Sequence, residues 1–86
     1  MALTPYQCRA ARGLLGLTQK ALAELARVDA VTLNFFESER RNTHHRTVKA
    51  IEEALVKAGA VFLPAGEGMG PGLRLAKNPK ATKKAK

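Results

Sequence analysis

The sequence is short of cysteine, of acidic residues and of long apolar runs, and each shortage excludes something. A single cysteine, Cys8, rules out an internal disulfide. It points to a reducing compartment, the cytoplasm. No apolar run approaches the ~20 residues needed to cross a bilayer, so no membrane association is expected. The opening segment, MALTPYQCRA, has no charged region followed by an apolar stretch, so no secretory signal is expected either. No internal repeat is visible. At 86 residues the chain has room for one small domain and little left over to enclose a pocket. No acid–base pair, nucleophile constellation or metal-ligand cluster stands out. His44 and His45 are adjacent and cannot share a helix face, and Cys8 is remote from both. The alternating glycines Gly66, Gly68, Gly70 and Gly72 lead into the strand-like Leu73-Arg74-Leu75 and not into a helix, so they read as a turn and not as a phosphate loop. The expectation is a non-enzyme with neither metal nor cofactor.

What is abundant is positive charge. Fifteen Lys and Arg stand against seven Asp and Glu, for a net charge of +8. The last ten residues, 77–86, hold five of the lysines and no acid, which leaves the remainder with ten basic and seven acidic residues. The surplus therefore sits mostly on a tail, expected to be disordered and to attract polyanions such as nucleic acid.

Residues 1–59 read as helices. Thr4 can cap a first helix, Pro5 fits its first position, and Gln7 completes a capping box. That helix should run to Leu15, with Gly16 taking the left-handed end conformation. Thr18 caps a second helix to about Ala26, with Leu22, Leu25 and Ala26 as its buried stripe. Asp29 is a suitable cap for a third helix, about Ala30 to Ser38, in which Leu33 and Phe36 face the core. A fourth runs from His45 to Ala58, with Val48, Ile51, Ala54, Leu55 and Ala58 inward and Gly59 as terminator. Val61-Phe62-Leu63 and Leu73-Arg74-Leu75 then read as a β-hairpin around a glycine-rich loop. The expected fold is mainly α: a compact four-helix unit over 1–59, a short C-terminal hairpin over 60–76 and a disordered basic tail over 77–86.

The most informative stretch is Leu17 to Arg41, LTQKALAELARVDAVTLNFFESERR. It encodes two short helices joined by a tight turn. Ala21, Ala23 and Ala26 allow close approach, Val28 plugs the turn, and Leu33 and Phe36 anchor the second helix. Such a pair crosses steeply and leaves the start of the second helix free to enter a major groove.

Over residues 6–58 the chain resembles the phage-repressor-like (XRE or Cro-type) helix-turn-helix DNA-binding domains. The resemblance is carried by Arg12, Gly16-Leu17-Thr18-Gln19, Leu22-Ala23, Val28, Thr32-Leu33, Phe36-Glu37 and the Thr47-Val48, Ile51, Ala54-Leu55 run. The Gly70-Pro71-Gly72-Leu73-Arg74-Leu75 ending is similar to a subgroup of short regulators in which a hairpin follows the helices. The resemblance implies a sequence-specific regulator on double-stranded DNA in the cytoplasm, associated with the nucleoid, and a repressor more than an activator. It implies that the third helix reads bases, with Ala30, Val31, Asn34 and Phe35 outward. Thr18, Gln19, Ser38, Arg40, Arg41 and Thr43 would contact phosphates, and Arg12 and Glu37 would form a buried ion pair. Asn34 suits adenine, and Ala30, Val31 and Phe35 suit thymine methyls. Two positions where the family often places glycine carry Arg27 and Glu39 instead.

One copy of such a unit reads only a few base pairs, so a homodimer on a two-fold site is expected. Its interface would be the hairpin, through Val61, Leu63, Leu73 and Leu75. A different class stays open beside this one: an antitoxin or anti-regulator that keeps the fold and binds a protein through Val31 and Phe35.

Overall fold

The computed structural model describes residues 3–40 and 42–77. Four helices and a two-stranded hairpin follow one another: α1 Pro5–Leu15, α2 Gln19–Ala26, α3 Ala30–Glu37, α4 His45–Ala58, β1 Ala60–Leu63 and β2 Gly72–Leu75. The tail beyond Lys77 and the phosphate candidate Arg41 lie outside the described residues.

The helix boundaries are set by local chemistry. The Thr4 hydroxyl accepts from the Gln7 amide at 3.2 Å, and the Gln7 side chain accepts from the Thr4 amide at 3.1 Å. This reciprocal pair satisfies two otherwise orphaned donors at the start of α1. Gly16 ends α1 in the left-handed region, at φ 71°. Thr18 caps α2 by accepting from the Ala21 amide at 3.0 Å. α3 differs from expectation in two small ways. Asp29 stands at its cap position with extended backbone but makes no side-chain cap bond, and the helix closes at Glu37 with Ser38 as its C-cap. His44 caps α4, its Nδ1 accepting from the Arg46 amide at 3.1 Å.

One core joins all elements. Leu15, Leu22, Leu33, Ile51 and Leu55 are fully buried, with Cys8, Ala11, Ala23, Phe36, Ala54, Ala58 and Ala60 around them. Leu25 is a correction: it is 55% exposed, and Ala23 takes its place inside. The buried arc of α2 runs through Leu22, Ala26 and Ala23, and at about 100° per residue Leu25 falls just outside it.

The strands pair antiparallel, with Ala60 opposite Leu75, Val61 opposite Arg74, Phe62 opposite Leu73 and Leu63 opposite Gly72. At the tip, Gly66 and Met69 exchange two backbone bonds of 2.9 Å. Glu67 and Gly68 between them both have positive φ, as a two-residue hairpin turn requires. Phe62, Leu73 and Leu75 pack on the helical core, while Val61 and Leu63 face outward at 41% and 37% exposure. A two-stranded hairpin is marginal alone, so this packing is what holds it. One polar tie reinforces it: the Gln7 Nε2 donates to the Gly72 carbonyl at 2.9 Å.

Candidate nucleic-acid interface

α2 and α3 are separated by the short turn Arg27-Val28-Asp29. Arg27 ends α2 in the left-handed region, at φ 59° and ψ 44°. Val28 follows, half-buried against the core, with its amide bonded to the Ala23 carbonyl at 3.0 Å. Leu33, Phe36 and Glu37 form the inward side of α3. Ala30, Val31, Asn34 and Ser38 share the opposite, exposed side, and Phe35 and Thr32 sit half-buried at its flank. The four expected base-reading positions are thus neighbours on one surface, with Val31 at 56% exposure.

Behind that surface lies a polar hub. Glu37 is only 2% exposed. Arg12 from α1 meets its carboxylate in a bidentate fork, Nε to Oε2 at 2.7 Å and Nη2 to Oε1 at 2.8 Å. The Cys8 thiol donates to Oε2 at 3.0 Å, and Gln19 Nε2 donates to Oε1 at 2.9 Å. Arg12 also reaches the Leu17 carbonyl at 3.1 Å, and Arg9 donates to the Glu37 backbone carbonyl. The resemblance anticipated the Arg12–Glu37 pair. It did not supply Cys8 and Arg9, although Cys8 and Arg12 lie four apart on one face of α1, a spacing that could have suggested a shared partner.

The electrostatics follow from this packing. Burial on its own lifts the Glu37 carboxyl, but the bonds from Arg12, Cys8 and Gln19 outweigh it and hold the group below the usual carboxylate range. The same Glu37 bond pushes the Arg12 guanidinium still higher. Burial, together with the neighbouring carboxylate, pushes the Cys8 thiol far up, so it remains a neutral donor.

The hub extends outward. Gln19 Oε1 accepts from Asn34 Nδ2 at 3.2 Å, linking the ion pair to the exposed side of α3. Thr18 keeps a hydroxyl hydrogen to donate, because its oxygen is the capping acceptor. The Ser38 hydroxyl instead donates to the Asn34 backbone carbonyl at 2.8 Å. Arg40 is exposed just beyond α3, next to Glu39, which is left-handed at φ 59°. Thr43 lines a recess of about 230 Å³ with Thr32, Phe35, Asn42, His44 and Thr47. Asn42, His44 and Thr47 were not anticipated from sequence, because the recess joins the flank of α3 to the start of α4. Among the described residues no three His, Cys, Asp or Glu side chains come together as a metal site. Among the described residues no helix is long and apolar enough to cross a membrane.

A family model described as helix-turn-helix matches residues 9–55, more than half of the chain and the whole of the α2–turn–α3 unit. No curated protein matches the chain.

Proposed function

The chain belongs to the helix-turn-helix family of XRE type, whose members are DNA-binding transcription regulators, and on that premise we propose that it is a repressor acting as a homodimer on a two-fold operator. The observation that carries this reading is the exposed row Ala30, Val31, Asn34 and Ser38 on α3, braced from behind by the Glu37 hub. α3 enters the major groove. Thr18, Gln19, Arg40 and Thr43 approach phosphates on either side, with Arg41 and the lysine tail adding salt-sensitive attraction. Occupancy of the operator blocks access to the promoter in the cytoplasm, on the nucleoid.

Two copies meet through their hairpins. Leu73 and Leu75 already pack on the helices, so the exposed Val61 and Leu63 supply the contact. Lysines at both positions, Val61→Lys with Leu63→Lys, should convert a dimer to a monomer in light scattering and weaken binding to a two-fold site. A wild-type protein that stays monomeric both free and on DNA refutes the dimer.

The experiment for the whole reading is selection from randomised duplexes at about 0.15 M salt, with and without residues 77–86. An enriched two-fold motif that survives tail deletion is the expected result. Val31, apolar and more than half exposed, favours one second reading, a protein partner on the same face of α3. In that case no motif is enriched, and Phe35→Ala harms partner binding more than Arg40→Glu.

A further inference from the structure

The exposed side of α3 offers little to a hydrogen bond. Among the described residues of α3 the one charged side chain is Glu37, and it points inward at 2% exposure. The Ser38 hydroxyl hydrogen is spent on the Asn34 carbonyl at 2.8 Å, and the Asn34 amide is shared with Gln19 at 3.2 Å. Ala30 and Val31 have no polar side-chain atom. Val31 is the second residue of the helix and is 56% exposed. At about 100° per residue it falls between Asn34 and Phe35, near the middle of the outward arc. In a recognition helix the first residues are the ones that reach base edges. The side chain best placed to meet a base is thus a branched hydrocarbon.

One group on the major-groove edge of DNA is its match in kind, the methyl on pyrimidine C5. Thymine carries it, and 5-methylcytosine carries it on the same ring atom. The two differ at position 4, an acceptor oxygen in thymine and a donor amino group in cytosine. Valine has no atom with which to sense that difference. Cytosine and uracil lack the methyl and leave the valine without a contact. Val31 is also the one large apolar side chain of α3 that is exposed, with the polar Asn34 and Ser38 beside it. A contact one side chain wide suits a methyl group better than an extended partner surface. We propose that Val31 is a specificity-determining residue that reads the pyrimidine C5 methyl, so that 5-methylcytosine substitutes for thymine at one base pair of each half-site and cytosine methylation there strengthens binding. This rests on the reading above, that α3 occupies the major groove.

The test starts from the motif that the full chain enriches from randomised duplexes. Each thymine of that motif is replaced in turn by uracil, which removes the methyl and keeps the pairing to adenine. At the responsive position cytosine and 5-methylcytosine are then compared, which adds the methyl and keeps the pairing to guanine. Loss of the methyl should weaken binding about fourfold per half-site, and its addition to cytosine should strengthen binding by about the same factor. Both changes should vanish in Val31→Ala, at an exposed position where alanine favours the helix. Val31→Ser takes its place if thermal melts show Val31→Ala unfolded. Methyl effects of equal size in wild type and variant overturn the proposal, because they then arise from the shape of the DNA. A uracil effect without a 5-methylcytosine effect overturns it as well, because position 4 is then being read. A motif with no methyl-sensitive position overturns it while leaving DNA reading intact. A wild type that enriches no motif overturns the DNA reading and this proposal together.

Discussion

α3 and the hairpin are both packed on the same helical core, yet they are held by different kinds of force. α3 is gripped from behind by Glu37, whose carboxylate takes four directed bonds from Cys8, Arg12 and Gln19. The hairpin rests on Phe62, Leu73 and Leu75, with a side-chain amide bond from Gln7 to Gly72 as a polar tie. Apolar contact fixes position and is tolerant of rotation, because burial is non-directional. Hydrogen bonds and ion pairs fix orientation as well. The element proposed to present particular atoms to a base edge is held by directed contacts, and the element proposed to meet a second copy is held mainly by burial.

The contrast can be broken most severely at Arg12. Arg12→Ala strands the buried Glu37 carboxylate and should cost about 3 kcal/mol in denaturant unfolding, at the lower end for a buried pair because the arginine side chain is 21% exposed. Acid probes the same contact. Glu37's carboxyl is held below the usual range, so its contribution to stability is complete above the unfolded value of about 4.3 and is lost as pH falls through the folded value. A pH series of melts should show that acid loss in the wild type and a smaller one in Glu37→Gln.

At the hairpin end, Gln7→Leu removes the capping-box partner of Thr4 and the tie to Gly72 while keeping the site filled. A loss of about 1–2 kcal/mol is expected, with faster amide exchange in 60–76 than in α3. Equal acceleration in both regions would show that the two anchorages are not separate.

The smallest expected effect has the opposite sign. Arg27 and Glu39 flank α3 at the ends of its two connections, both left-handed, a conformation costly to residues with a Cβ. Glu39→Gly relieves that cost and adds chain entropy to the unfolded state. A net gain of about 0.5–1 kcal/mol in thermal or denaturant unfolding is expected.

The legible parts of the fold were those with local signals. Thr4 and Gln7, Gly16, Thr18 and Gly59 mark helix ends within a few residues of themselves, and Leu33 with Phe36 marks one side of α3. The hairpin was legible from its glycines and period-two leucines. Leu25 was not, because apolar spacing alone does not say where the edge of a buried arc falls. The Gln7–Gly72 bond spans 65 positions and has no local signature. Cys8 is similar: a small apolar residue in pattern, it becomes a donor to Glu37 only when α1 and α3 meet. In the candidate interface, the resemblance named Gln19, Asn34 and Glu37 separately. That they form one hydrogen-bonded series depends on the crossing of α2 and α3, which spacing does not encode.

α4 runs into β1 with Gly59 alone between them, and Gly59 itself is buried. No slack exists there to take up a change of distance. Two copies joined at their hairpins would measure DNA as a fixed caliper does. One extra base pair between half-sites would turn the second site by roughly 35° about the duplex, beyond the caliper's reach, so operator spacing would be as restrictive as operator sequence.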